Sequence, residues 1–194
     1  MNENILLERL RKGDTSALHE IMQLWQDQVY NTALGIVQNT EEAEEITQDV
    51  FVQVYRGIRA FRGESKFSTW LYRITVSKAI TAERKKKTRK RFALFQGWLG
   101  KTEEEAESVA DFYHPGVQLE QKENAAILFR ALKKLPEQQR IAFTLQKLEG
   151  LSSAEIGSIM NITPAAVDSL LQRGRAGLRK LLETYYQHQK KLSS

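Results

Sequence analysis

The chain has no cysteine, three prolines and three histidines in 194 residues, and no long apolar run. Without thiols it has no disulfides, no thiolate chemistry and no Cys-type zinc site, so its fold must rest on packing alone. His19, His114 and His188 are scattered, with no partner at metal-ligand spacing, and no metal or other cofactor is expected. No segment approaches the roughly 18 consecutive apolar residues of a membrane span, and the start, MNENILLERLRKG, lacks the apolar core of a signal peptide. A cytoplasmic protein with no direct membrane insertion is expected. Neither a phosphate-cradling glycine loop nor a paired acid–base constellation is present, so no catalytic residue is assigned and the chain reads as a non-enzyme.

What the chain does have is charge sorted into blocks. The net charge is +5, from 29 Lys and Arg against 24 Asp and Glu. From Arg56 to Arg91 there are 13 basic residues and two Glu, whereas Glu41 to Asp49 holds five acids and no base. Between Lys101 and Glu123, seven acids face two lysines. Such sorting suits separate surfaces, basic ones for phosphate and acidic ones for a basic partner.

Apolar residues recur at helical spacing along most of the chain and nowhere show sustained two-residue alternation, which predicts an all-α fold. Asp14 is placed to cap a helix carrying Leu18, Ile21, Leu24, Trp25 and Val29. Asn39 or Thr40 caps the next, where Ala43, Ile46, Val50, Val54 and Ile58 keep the period. Acids at 41, 42, 44 and 45 crowd its first turns, where the helix dipole favours them. A further helix from near Ser68 and Thr69 carries Trp70, Leu71, Ile74 and Ala79 into the basic run Arg84–Lys87. These helices make a first domain over residues 1–91.

Residues 92–118, broken by Gly97, Gly100 and Pro115-Gly116, read as a flexible linker longer than connections inside compact domains. Phe92, Leu94, Phe95, Trp98 and Leu99 make it too apolar for a free tether, so part of it is expected to dock. A second domain spans 119–194. Leu128, Ala131, Leu132 and Leu135 mark one helix. Pro136 starts another, with Ile141, Leu145 and Leu148, and Gly150 ends it. Ser152 and Glu155 then form a capping box before Ile156, Ile159 and Met160. After the turn Asn161-Ile162-Thr163, Pro164 opens a long helix with the stripe Val167, Leu170, Leu171, Gly174, Leu178, Leu181 and Leu182. Two helices joined by a short turn, the second with a polar and basic face, are the form of a major-groove reader.

The segments 43–51 (AEEITQDVF), 61–79 (FRGESKFSTWLYRITVSKA) and 150–182 follow one another in the order of a single family. The chain resembles the extracytoplasmic-function sigma factors, small two-domain bacterial transcription initiation factors. The resemblance covers both domains and omits the linker. It implies a region 2 bundle, a region 4 helix-turn-helix, and a protein that binds RNA polymerase core, recognises the −10 and −35 promoter elements and assists melting. A stand-alone helix-turn-helix regulator of duplex operators is the alternative, and the aromatic, basic first domain speaks against it.

The resemblance places core polymerase binding, against the clamp coiled coil of the β′ subunit, on Glu45, Gln48, Asp49, Phe51 and Gln53, with the β flap as a second contact. It places the −10 element on Phe61, Arg62, Gly63, Phe67, Tyr72, Arg73 and Ser77. Melting needs unstacked bases to be held, and stacking on aromatics returns roughly 1–3 kcal/mol per base. Lys78, Arg84, Lys85 and Lys86 are counted with the −10 contacts, and Lys85, Lys86, Lys87, Arg89, Lys90 and Arg91 are expected on phosphates, which position without specifying. Trp70 suits core and base contact equally. The −35 element falls to Asp168, Ser169, Gln172, Arg173, Arg175 and Arg179, of which Arg173 can pair with guanine and Gln172 with adenine. Ser77 stands where the family usually has Asn, and a lone hydroxyl cannot read a base bidentately. Asp168 and Leu170 stand where members often have basic residues; Asp168 can accept from a cytosine amino group, and Leu170 is expected to be buried. The family also implies an anti-sigma partner, and a linker whose acids Glu103–Glu107 approach the polymerase's nucleic-acid channel.

Overall fold

The computed structural model describes residues 3–97 and 127–192. The chain divides into two compact units, Met1–Val109 and Ala110–Ser194. Every described regular element is helical, as the period of the apolar residues requires.

The first unit holds α1 (Glu3–Arg11), α2 (Thr15–Val37), α3 (Thr40–Gly57), a 3-10 turn (Ile58–Ala60) and α4 (Phe67–Gly97). Asp14 caps α2, accepting from the Ser16 amide, and Asn39 caps α3, accepting from the Glu42 amide. Each such cap is worth about 1 kcal/mol. Between the two helices Gln38 takes the left-handed conformation, φ 53°, and its amide closes on the Leu34 carbonyl. The chain therefore reverses within two residues, and α2, α3 and α4 pack against one another with α1 on α2. Ile21, Val29 and Ile36 of α2, Val50 and Val54 of α3 and Leu71 of α4 are fully buried where these helices pack; truncating any of the large aliphatics to Ala would cost about 2–5 kcal/mol. Leu24, one of the periodic apolar residues of α2, is 49% exposed.

α4 begins at Phe67, one residue before the expected start, and runs without a break to Gly97. The first six residues of the expected linker thus continue this helix. Phe92 on it is exposed rather than docked on its own unit. The side chains of Leu94, Phe95, Trp98 and Leu99 and the acids Glu103–Glu107 lie outside the described residues.

In the second unit, residues 127–133 belong to α5, followed by α6 (Glu137–Lys147), α7 (Ser153–Met160) and α8 (Pro164–Leu192). Pro136 is the residue before α6 rather than its first turn. Buried Arg140 donates to the Lys133 carbonyl at 3.2 Å and ties α6 to the end of α5. Ala131, Leu132 and Leu135 pack on Leu178, while Ile141, Leu145, Ile156, Val167 and Leu171 are buried nearer the helix-turn-helix. Leu148, expected on α6, follows its last residue and is 45% exposed.

The α7–α8 pair is built as its local chemistry demands. Ser152 and Glu155 form the full capping box. Asn161 then takes the left-handed conformation, φ 56°, and the Ile162 amide bonds the Gly157 carbonyl at 3.0 Å. Gly157 allows this approach, because a Cβ there would stand 2.7 Å from the Ile162 carbonyl oxygen. Thr163 Oγ1 accepts from the Ala166 amide and opens α8.

Candidate nucleic-acid interface

α3 and α4 carry opposite charges on adjoining surfaces. Glu45, Gln48, Asp49 and Gln53 are exposed on α3. On α4 Arg73, Ser77, Thr81 and Lys85 are exposed at four-residue steps and so form one ridge. Where the two surfaces meet, Lys78 pairs with Asp49 at 2.9 Å and Lys86 with Glu42 at 2.8 Å. Arg84 is exposed as well.

Between the 3-10 turn and α4, residues 61–66 form a loop with Arg62 and Gly63 exposed, and Gly63 uses a positive φ of 77°. Phe61, half buried, leads into it. Its ring stacks on Trp70, centroids 4.9 Å apart at 27°, and meets Phe67 edge-on at 6.1 Å. Phe67 in turn meets Trp25 of α2 edge-on. Trp70 is therefore the support beneath Phe61, and the small size of Gly57 admits it: a Cβ at 57 would lie 3.2 Å from the indole.

In the second unit the exposed face of α8 presents Asp168, Ser169, Gln172, Arg173, Arg175 and Arg179. Several are held in place. Ser153 at the start of α7 donates to Asp168 at 2.5 Å, the Arg173 Nε donates to the Ser169 carbonyl at 3.1 Å, and Arg175 donates to Gln146 of α6 at 3.0 Å. Leu170 is 7% exposed, as expected of a core residue. Among the described residues no acidic or histidine cluster is placed to hold a metal, and no helix is long and apolar enough to cross a membrane.

Residues 21–89 match the family Sigma-70 region 2, and residues 125–178 match Sigma-70, region 4. The chain is 34% identical to the ECF RNA polymerase sigma factor SigW of Bacillus subtilis, over 91% of this chain and 94% of that protein. The chain belongs to the ECF RNA polymerase sigma factors. It is also 30% identical to the ECF RNA polymerase sigma-E factor of Escherichia coli K12, over 92% and 93% of the two chains. Two solved structures share the fold of this sigma factor. CnrH, in complex with the cytosolic domain of CnrY, has a TM-score of 0.66 at 19% identity, covering 94% of this chain and 97% of that one. The sigma factor RpoE, in complex with the anti-sigma factor NepR from Bartonella quintana, has a TM-score of 0.64 at 23% identity, covering 85% and 96%. This sigma factor is a transcription initiation factor.

Burial corrects three of the residues expected to touch its partners. Phe51 and Phe67 are each 2% exposed and Tyr72 is 5% exposed. Side chains so enclosed have no area to offer polymerase or bases; they brace the surfaces on which their neighbours stand. The apolar area on α3 belongs instead to Val52 and Tyr55, 47% and 44% exposed. At about 100° per residue these two fall on the same face as Glu45 and Gln48, whereas Phe51 falls at the edge of the Val50–Val54 stripe.

Proposed function

We propose that this sigma factor binds polymerase core through α3 and reads its promoter at two places, −10 through the 61–66 loop and α4 and −35 through α8. On α3, Glu45, Gln48, Asp49 and Gln53 meet basic groups of the β′ clamp coiled coil, and Val52 and Tyr55 supply the apolar area. Phe61, Arg62, Gly63, Arg73 and Ser77 face the melted −10 strand. Lys78, Arg84, Lys85 and Lys86 hold its backbone. On α8, Asp168, Ser169, Gln172 and Arg173 face base edges while Arg175 and Arg179 hold phosphates, and the β flap receives this second unit. Residues 1–91 and 119–194 are the two working domains and 92–118 the connection between them. We place the protein in the cytoplasm, with promoter DNA and polymerase core as partners and with an anti-sigma factor covering the α3 surface, the kind of partner that the Bartonella quintana RpoE has in its complex. It carries no catalytic residue; RNA synthesis belongs to the polymerase.

The observation that carries this reading is the seam at Asp49 and Lys78, where an acidic helix face and a basic, aromatic-backed one meet in a single bundle. A duplex-operator regulator has no use for that pairing. The experiment mixes the full chain with sigma-free bacterial polymerase core and transcribes a genomic promoter library. Co-elution with core and specific starts are expected. A chain that ignores core but shifts duplex DNA alone would be a regulator instead.

A further inference from the structure

The helix α1 has no part in the promoter contacts proposed above, and it ends before residue 21, where the match to Sigma-70 region 2 begins. Yet Arg11, in its last turn, reaches the segment that leads into the 61–66 loop. Its Nη2 donates to the Phe61 carbonyl at 2.6 Å, and its Nε approaches the Ile58 carbonyl at 3.5 Å, a far weaker contact. Its Nη1 donates to Glu8 one turn earlier, which steadies the guanidinium. The guanidinium carbon lies 5.9 Å from the centre of the Phe61 ring, within cation–π range. One side chain therefore grips both the carbonyl and the ring of the residue from which the loop departs. Glu3, Asn4 and Leu7 of the same helix form one wall of a cleft, and the loop forms the other.

We propose that Arg11 is a positioning residue for −10 recognition: it fixes Phe61, and so the path of Arg62 to Lys66 against which an unstacked base is held, without touching DNA itself. This rests on the reading of the loop and α4 as the −10 contact. The chemistry is particular to arginine. Its planar fork serves Glu8 and the Phe61 carbonyl at once while lying against a ring, and a lysine ammonium, a point charge, cannot reproduce that arrangement. The ring held by Arg11 is the one stacked on Trp70, so releasing it loosens the loop where it joins the bundle.

The test uses holoenzyme assembled from the full chain and polymerase core, carrying wild type, Arg11→Ala or Arg11→Lys. The probe is a single-stranded oligonucleotide with the −10 sequence selected in the transcription experiment, and a set with each base replaced in turn. The readouts are the ratio of affinities, selected over replaced, and the dependence of affinity on salt. Arg11→Ala is expected to lower that ratio about 3- to 10-fold at one position or more, the net effect of losing one part-buried hydrogen bond, with an unchanged salt slope and intact co-elution with core. Arg11→Lys is expected to fall between. An unchanged ratio in the variants would overturn the proposal. So would a salt slope shallower by about one, which would put Arg11 itself on a phosphate. Should Arg11→Ala fail to assemble, Arg11→Lys decides by the same ratio. A wild type without base preference would overturn the −10 reading and this proposal with it, whereas a selective wild type with equally selective variants would overturn the role of Arg11 alone.

Discussion

Lys78 Nζ on α4 lies 2.9 Å from Asp49 Oδ2 on α3, a lysine of the proposed DNA surface paired with a carboxylate of the proposed polymerase surface. Lys86 and Glu42 repeat the relationship two turns further along α4. The Lys78 and Asp49 side chains are 35% and 57% exposed, and such pairs are worth about 0–1 kcal/mol, so either partner is easily drawn away. A polymerase that engages Asp49 would leave Lys78 to a phosphate. Asp49→Asn is therefore expected to strengthen binding of a single-stranded oligonucleotide by the free chain, about 2- to 5-fold at low salt. In the assembled holoenzyme the same change should bring no such gain. Fluorescence anisotropy on both species measures this, and equal DNA affinity of the two free chains would mean that the pair does not compete with DNA.

Gly157 sits inside α7, where Ala would ordinarily be preferred by about 1 kcal/mol. Here its Cβ would press to within 2.7 Å of the Ile162 carbonyl oxygen, a backbone atom that no rotamer change can move. Gly157→Ala is expected to destabilise the chain by about 1–3 kcal/mol and to weaken −35 duplex binding, because the turn between the two helices must shift. Gly174 is the internal contrast: a Cβ there meets nothing closer than 3.7 Å, so Gly174→Ala should be neutral or stabilising by up to about 1 kcal/mol. Denaturant unfolding of both variants gives the answer. A Gly157→Ala chain as stable as wild type would show that the turn gives way freely.

Features set by near neighbours along the chain are legible from the residues themselves. Asn39 as a cap, the Ser152–Glu155 box and the α8 stripe from Val167 to Leu178 each depend on residues within a few positions, and each stands where the spacing places it. Rotation about a helix axis is harder to read. Phe51, Phe67 and Tyr72 belong to segments proposed to bind polymerase or promoter, and only the packing of α2, α3 and α4 decides that these three turn inward while Val52 and Tyr55 turn out. Pairs that cross between helices have no local signal. Asp49 and Lys78 are 29 residues apart, Glu42 and Lys86 are 44 apart, and Arg11 and Phe61 are 50 apart.

At the corner between α1 and α2, Asp14 accepts from the Ser16 hydroxyl at 2.7 Å and amide at 2.9 Å, and pairs with Arg9 at 2.8 Å. The Ser16 hydroxyl first, Arg9 second and then the Ser16 amide lower its carboxyl from 3.8 to about 2. A depressed acid stabilises the fold above its unfolded value and loses that contribution as pH falls through its folded one. The corner should thus be unaffected down to about pH 4 and loosen between there and about pH 2. A carboxyl-detected NMR titration should find the Asp14 midpoint near the bottom of this window, with the Ser16 amide losing hydrogen-exchange protection alongside it. Asp14→Asn keeps an oxygen for the cap but loses the charge facing Arg9, so its Ser16 protection should not titrate there. A midpoint at the ordinary aspartate value would show that these bonds do not persist in solution.

The Ser153 hydroxyl bonds one oxygen of Asp168, joining the first residue of α7 to the outward face of α8. A carboxylate has two oxygens, so Asp168 can brace the two helices with one and still face the groove with the other. The two roles separate by mutation. Ser153→Ala removes the brace alone and is expected to weaken all −35 duplexes alike, by a few-fold at most for one exposed hydrogen bond worth about 1 kcal/mol. Asp168→Ala removes both roles and is expected also to relax preference at a single base pair, where an acceptor facing cytosine is worth about 1–3 kcal/mol of discrimination. Selection from a duplex pool randomised across the −35 element, run with the two variant holoenzymes, separates these outcomes. If both select the wild-type sequence and differ from it only in affinity, Asp168 is a brace, and base choice on this face rests with Gln172 and Arg173.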